Sequence, residues 1–142
     1  MALLSAENVS QVRDLFQALR DPVKLVVFSQ SLAAAELCAR NESLVREVAA
    51  TSELISVEVL NLAIDRERAE AYGVTEVPAI VVEGARDYGL RFYGVPTGYE
   101  FSNLIDAIIL ASTGEPTLSD ATTTALAGLP RDVEIKVFST PT

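Results

Sequence analysis

Residues 72–82 read Tyr72-Gly73-Val74-Thr75-Glu76-Val77-Pro78-Ala79-Ile80-Val81-Val82, and this stretch decides the fold of the chain. A helix is predicted to end at Tyr72-Gly73, and a short loop leads from there into an apolar strand. Proline has no N–H to donate to a central ladder, so Pro78 must lie at the start of that strand. A Val-Pro bond at such a tight turn favours the cis isomer. The stretch therefore predicts a buried strand with a cis proline at its beginning.

Three further strands are predicted from the apolar pattern on either side of this stretch. Residues 23–28 are almost all apolar, as expected of a central strand that is covered on both faces. Residues 55–60 alternate between apolar and polar side chains, which predicts a second strand, and residues 88–93 follow a tight turn at Gly84. Together with residues 79–83, they make four strands.

Four helices are predicted around these strands. Ser5 is a suitable cap for a helix that extends to about residue 19, and residues 32–50 and 66–72 form the next two. Residues 99–112 have the cleanest helical period, with apolar side chains at Phe101, Leu104, Ile105, Ile108 and Ile109. Strands joined through a helix are expected to be parallel, and the pair joined by the tight turn antiparallel. The prediction is an α/β fold in which helices cover both faces of a four-stranded mixed sheet.

Residues 114–142 fall outside this pattern of four strands and four helices. Residues 114–117 read as a linker, residues 118–128 as a weak helix, and residues 133–139 as one more strand. We therefore expect residues 1–113 to form one domain, and residues 114–142 to be a linker helix and the first strand of a truncated second domain. The alternative is that residues 133–139 dock as an extra edge strand.

These residues together resemble the N-terminal half of the glutaredoxin-like protein disulfide oxidoreductases, which look like two fused thioredoxin folds, each with a Cys-x-x-Cys pair. The resemblance covers nearly the whole chain and implies a thioredoxin-like fold. Residues 137–142 resemble the lead-in to the second Cys-x-x-Cys pair. The most specific segment is Asp87-Tyr88-Gly89-Leu90-Arg91-Phe92-Tyr93-Gly94-Val95-Pro96-Thr97-Gly98-Tyr99-Glu100-Phe101.

The resemblance places the family's first Cys-x-x-Cys pair on Ala35-Glu36-Leu37-Cys38. Cys38 is the only cysteine of the chain, and alanine stands at position 35 where the family has its first cysteine. In such motifs the first thiol lies at a helix N-terminus and attacks a substrate disulfide, and the second thiol resolves the mixed disulfide. Ala35 cannot attack, so the pair is predicted to be degenerate. A slip of one residue in the loop at residues 29–34 would change this register.

Cys38 and the Val77-Pro78 pair each have two interpretations. Cys38 is predicted to be an inert core residue on the apolar side of its helix, and the alternative is a slow or partner-dependent thiol. Pro78 either serves only to close the fold or, together with Val77, forms a substrate-binding element. In the second case Val77 offers its backbone N–H and C=O groups to an extended peptide, a short β-augmentation. Such a groove would bind a peptide without exchanging its disulfide.

The charge and composition exclude several classes of function. The chain carries 20 acidic and 11 basic residues, a net charge of −9, so neither nucleic acid nor a membrane surface is an expected partner. No apolar stretch approaches the ~18 residues that span a bilayer, and the N-terminus does not read as a signal peptide. A single cysteine fits a reducing cytoplasm, the predicted location. The absence of histidine argues against imidazole catalysis and most zinc sites, and neither a metal nor a cofactor is predicted.

Three functions follow from the residues and the resemblance. The first is a catalytically degenerate module of a two-domain thiol-disulfide oxidoreductase, partnered by a second thioredoxin-like domain of the same parent chain and by protein disulfide substrates. Its main redox pair is then expected beyond residue 142. The second is the N-terminal module of an alkyl hydroperoxide reductase flavoprotein, which is similar in having a tandem whose first fold lacks a working pair. The third is a monothiol exchanger that works through Cys38. Exposed strand edges also make a homodimer a hypothesis.

Overall fold

The apolar run that follows Pro22 forms strand β1, Val23–Ser29, in the middle of a four-stranded sheet. A computed structural model describes residues 2–32 and 34–139 of the chain. The order of strands across the sheet is β2-β1-β3-β4, with β2 at Ile55–Asn61, β3 at Ala79–Glu83 and β4 at Asp87–Tyr93. Residues 25–28 of β1 are buried on both faces of the sheet, as the sequence predicts for a central strand.

The direction of β3 corrects one expectation from the sequence. β1 and β2 are parallel, as predicted, but β3 is antiparallel to β1 although a helix precedes it. That helix, α3, is Arg66–Tyr72, and its seven residues extend ~10 Å, whereas seven residues of strand extend ~23 Å. The helix is too short to carry the chain back along the strands, so β3 begins at the end of the sheet where β2 finishes. β4 then returns antiparallel to β3, as predicted.

Helices cover both faces of the sheet. Three of them pack on one face against Leu25, Val27, Ile80 and Val82: α1 at Ala6–Leu15, α2 at Ala35–Ala49 and α4 at Tyr99–Thr113. Helix α3 alone covers the other face, where Ala69 packs with the core residues Val26, Phe28, Ala79 and Val81. The predicted α/β architecture is confirmed. No helix among residues 2–32 and 34–139 has the length and apolar character needed to cross a membrane.

The helix boundaries differ from the sequence prediction mainly at α2. The cap of α1 is as predicted, because the Ser5 side chain accepts a hydrogen bond from the Asn8 amide, and a 3-10 turn at Phe16–Ala18 follows the helix. Helix α2 begins at Ala35 and not at residue 32, because Ala34 has a left-handed backbone conformation with φ at 54°. A left-handed residue cannot continue an α-helix.

A polar cluster holds α3 on its face of the sheet. Tyr72 donates a 2.7 Å hydrogen bond from its hydroxyl to the Glu83 carboxylate, and the guanidinium groups of Arg68 and Arg91 lie 5.8 and 5.5 Å from the centre of its ring. Arg91 also pairs with Asp87 at 2.6 Å. These contacts fasten a helix of only seven residues, whose own hydrogen bonds would not keep it folded.

The C-terminal part packs little against the sheet. Helix α5, Asp120–Ala127, buries none of its residues. Residues 133–139 form no strand, and Val133, Ile135, Val137 and Phe138 are exposed. Docking as an extra edge strand is therefore wrong, because the four-stranded sheet does not include residues 133–139. The assignment of residues 114–142 to a linker helix and the first strand of a second domain stays a prediction, since a strand must pair its backbone with a neighbour. Residues 140–142, which share the resemblance to the second lead-in, lie outside the described residues.

Candidate functional site

One end of the sheet gathers the residues singled out from the sequence. Strands β1, β2 and β4 finish there and β3 begins there, because Phe28 pairs with both Leu60 and Ala79, and Ala79 with Tyr93. We call this end the site edge. It consists of the segments that join these strand ends to their neighbours: residues 30–32 and 34, 62–65, 74–78 and 94–98. Since adjacent strands are ~5 Å apart, each segment lies beside the segment of the neighbouring strand.

The Val77–Pro78 peptide bond is cis, as the sequence predicts. Pro78 is buried and its carbonyl oxygen accepts a 2.9 Å hydrogen bond from the Gly94 amide, which ties the loop to the end of β4. Val77 is half-buried, and its backbone N–H and C=O have no hydrogen-bond partner among the described residues. An unpaired donor and acceptor on adjacent backbone beside a sheet are the groups that strand addition uses.

The N-terminus of α2 lies at the same edge. Its N-cap residue, Ala34, makes no side-chain capping bond, and Ala35, the first helical residue, is exposed. The first N–H groups of a helix have no partner within the helix, and the macrodipole adds a partial positive charge there. A cysteine in place of Ala35 would therefore stand where a thiolate is favoured. This chain puts a methyl group in that position.

Cys38 lies inside the protein. Only 1% of its surface is exposed, and its backbone N–H donates to the Ala34 carbonyl at 2.9 Å, one turn into the helix. Ala35 is therefore exposed and Cys38 faces the core, and their correspondence to the two positions of a Cys-x-x-Cys pair stays a prediction. The structure brings Ala35, Val77 and Pro78 to one edge and keeps the thiol away from that surface.

Asn41 is a feature that the sequence reasoning missed. It lies one turn beyond Cys38 on the inner side of α2, it is fully buried, and neither its amide nitrogen nor its amide oxygen has a hydrogen-bond partner among the described residues. The signal in the sequence is an asparagine at the spacing of the apolar stripe of α2. A buried amide without partners destabilises the fold, so we expect a replacement by an apolar residue to be tolerated.

Exposed apolar residues at the site edge were also missed. Leu32 is 95% exposed and Ile64 is 80% exposed, and each lies in the segment that follows a strand, β1 and β2 respectively. The sequence assigned Leu32 to α2, and the later start of that helix leaves it outside. No group of three or more histidine, cysteine, aspartate or glutamate side chains in the described part of the chain is arranged to hold a metal ion.

The fold is similar to the folds of three solved structures. The chain matches the alkylhydroperoxide reductase AhpF from Enterococcus faecalis with a TM-score of 0.80, 22% identity and 89% of this chain covered. It matches the separate NTD_N/C domain of that AhpF with a TM-score of 0.76, 21% identity and 90% of the chain covered. A protein disulfide oxidoreductase from Aeropyrum pernix gives a TM-score of 0.76, 25% identity and 88% coverage.

These similarities establish a thioredoxin-like fold, as predicted. No protein-family model and no curated protein sequence matches the chain. The chain spans 61%, 62% and 55% of the lengths of the three solved chains, which is less than two thirds of each.

Proposed function

We propose that this chain is a thioredoxin-fold module of a larger thiol-disulfide oxidoreductase, and that it binds extended polypeptide without exchanging disulfides itself. One observation carries the proposal: the site edge keeps the unpaired backbone groups of Val77, whereas the only thiol of the chain, Cys38, is 1% exposed. These backbone groups support peptide binding, and the burial of Cys38 leaves no thiol at the site edge to attack a disulfide.

The chemistry of exchange explains why this module is degenerate. A thiolate must approach a disulfide sulfur directly, and a second thiol must then release the mixed disulfide. Ala35 has no sulfur, and the thiol of Cys38 is closed off from any substrate at the site edge. The main redox pair then belongs to another part of the parent protein.

Backbone pairing explains how the module binds. A peptide laid beside residues 75–77 can accept from the Val77 N–H and donate to its C=O, while the buried ring of Pro78 fixes the position of these groups. Main-chain hydrogen bonds of this kind are independent of side-chain identity. The element therefore suits a protein that handles many polypeptide substrates.

A second thioredoxin-like unit of the same parent is the proposed partner. The solved structures similar to this chain are longer than it, and residues 133–138 carry four exposed apolar side chains that such a unit would cover. The proposed location is the cytoplasm, where a single unpaired cysteine is maintained in the reduced state. The proposed biological role is in redox homeostasis.

A second candidate is the N-terminal module of an alkyl hydroperoxide reductase flavoprotein. The observation that favours it is the TM-score of 0.80 with AhpF from Enterococcus faecalis. The residues that follow position 142 in the parent protein distinguish the two candidates. One further thioredoxin-like unit supports the first candidate, and a flavin- and nicotinamide-binding region supports the second.

Two measurements test the proposed function. The first is reduction of insulin disulfides in the presence of dithiothreitol, which the chain is expected not to accelerate. The second is an NMR titration with a short extended peptide, which should shift the amide resonances of residues 75–77. A peptide of the same sequence, N-methylated so that it cannot donate to Val77, is the control and should not produce these shifts. Turnover of insulin, or equal shifts with both peptides, would overturn the proposal.

A further inference from the structure

Besides the unpaired backbone groups of Val77, the site edge exposes apolar side chains. Leu32 follows β1 and Ile64 follows β2, and both are almost fully exposed, while Leu37 in the first turns of α2 is 51% exposed. Single exposed apolar residues are normal on protein surfaces. Here, however, three of them lie in segments at the same end of the sheet as the loop that carries Val77. Since the ends of β2, β1 and β3 are neighbours at ~5 Å spacing, an extended chain paired with Val77 would pass within reach of these side chains.

The charges at the same edge are mostly negative. Glu36 in the first turn of α2, Glu67 in the first turn of α3 and Glu76 in the loop before Pro78 are exposed. None of these three carboxylates forms an ion pair or a side-chain hydrogen bond with another described residue. Helix α3 carries two basic residues, Arg66 and Arg68, and Arg68 is paired with Glu58. Arg40 of α2 lines a cavity together with residues 95–98 of the site edge. The whole chain adds a net charge of −9, which attracts cationic partners over a distance of about one Debye length.

We propose that the site edge selects extended polypeptide segments in which apolar side chains alternate with lysine or arginine. This inference rests on the proposed function and specifies which class of polypeptide the site edge binds. The peptide backbone pairs with Val77, apolar side chains cover Leu32 and Ile64, and the basic side chains approach Glu36 and Glu76. Successive side chains of an extended chain point to opposite sides, and alternate side chains, ~7 Å apart, point to the same side. One strand can therefore present apolar side chains on one side and basic side chains on the other.

Four fluorescent peptides of equal length test the selection. They alternate leucine with lysine, leucine with glutamate, serine with lysine, and serine with asparagine, and their dissociation constants are measured by anisotropy. We expect the leucine–lysine peptide to bind tightest, by about tenfold over the serine–lysine peptide, which corresponds to 1.4 kcal/mol. We expect its affinity to fall as salt screens the carboxylates.

Matched variants locate the binding surface. Leu32→Ser and Ile64→Ser should each weaken the leucine–lysine peptide by about fivefold, since each removes one apolar contact. Leu126→Ser is the control, because Leu126 is 51% exposed and lies on α5, outside the segments that form the site edge. Glu76→Gln should weaken binding about two- to fivefold, the range of an exposed charge pair. Glu53→Gln, in the exposed turn before β2, should leave it unchanged.

The outcomes separate this inference from the proposed function. If none of the four peptides binds, both fail. If all four bind with similar affinity, or the leucine–glutamate peptide binds best, the selection is overturned and the backbone-binding function stands. An equal loss of affinity in Leu32→Ser and in the Leu126→Ser control would also overturn the proposed surface.

Discussion

The backbone N–H of Cys38 donates a 2.9 Å hydrogen bond to the carbonyl oxygen of Ala34, which places the only thiol of the chain one helical turn beyond the residue that caps α2. The turn between them carries Ala35 at the surface. This relationship separates the exposed position, where exchange chemistry would begin, from the sulfur.

The first prediction concerns the reactivity of Cys38. We expect the folded protein to react with a thiol reagent such as iodoacetamide roughly a hundredfold more slowly than the protein in guanidinium chloride, since the thiol is exposed only when the structure opens. The control is the double variant Cys38→Ala, Ala35→Cys, whose thiol lies at the exposed start of the helix and should react rapidly. Fast labelling of native Cys38 at neutral pH would contradict its burial and support the monothiol hypothesis.

The second prediction concerns Ala35→Cys alone. Side chains three positions apart on a helix are ~5–6 Å apart, which is within reach of disulfide closure after a small adjustment. We expect the variant to form an intrachain disulfide with Cys38 under mild oxidation, detected as a mass loss of two hydrogens. Ala49→Cys, at the other end of the same helix, should not form one. If the Ala35→Cys variant stays reduced, the register of the degenerate pair is wrong.

The third prediction concerns Gly84, at the turn between β3 and β4. A Cβ added to Gly84 would lie 2.0 Å from the backbone carbonyl oxygen of Ala111, so α4 must move to accommodate it. We expect Gly84→Ala to lower the free energy of unfolding by about 2–4 kcal/mol, measured by urea denaturation. Gly128→Ala is the matched control, because its new Cβ would have ordinary contacts of 3.6 Å or more. Equal stability of the two variants would contradict the close approach of α4.

The fourth prediction concerns the hydroxyl of Tyr72. Burial and the bond to Glu83 raise the pKa of Tyr72 above its usual value of 10.0. Because the pKa of Tyr72 is higher in the folded state than in the unfolded state, the neutral hydroxyl stabilises the folded protein fully below pH 10. This stabilisation is lost at higher pH, where the tyrosine of the unfolded chain ionises more readily. We expect Tyr72→Phe to cost about 1 kcal/mol at pH 7 and the difference from the wild type to shrink above pH 10. A difference that stays constant with pH would exclude this hydrogen bond as its source.

The fifth prediction concerns the decrease in the free energy of unfolding at acid pH. The side-chain hydrogen bonds from Arg68 and Arg91 lower the pKa values of Glu58 and Asp87, respectively, below their usual values of 4.5 and 3.8. Their contribution is therefore complete above these values and declines as the pH falls below them. We expect Asp87→Asn to be less stable than the wild type at pH 7 and to approach it below pH 3.8. Chemical denaturation at several pH values measures this, and a gap that widens in acid would refute the assignment.

The fold could be predicted from the sequence wherever local pattern decides the structure. The lack of an N–H on Pro78 fixed where β3 begins, the apolar run at residues 23–28 fixed the central strand, and the period of residues 101–109 fixed the inner face of α4. Residues 133–139 have an equally good strand pattern and form no strand. An alternating pattern indicates which face of a strand would be buried. The strand forms only if a neighbouring strand pairs with it and the face is covered.

The candidate site was predicted in part. The sequence alone determined that position 35 carries no sulfur, that Cys38 is the sole thiol and that Pro78 opens a strand, because these facts depend on residue identity and local backbone chemistry. The antiparallel direction of β3 follows from the length of α3, which the sequence predicts correctly. The tertiary structure alone decided the strand order β2-β1-β3-β4, and with it that the segments holding Leu32, Ile64 and Val77 meet at one edge. Strand order depends on how all the helices cover the sheet, and no local sequence pattern shows that.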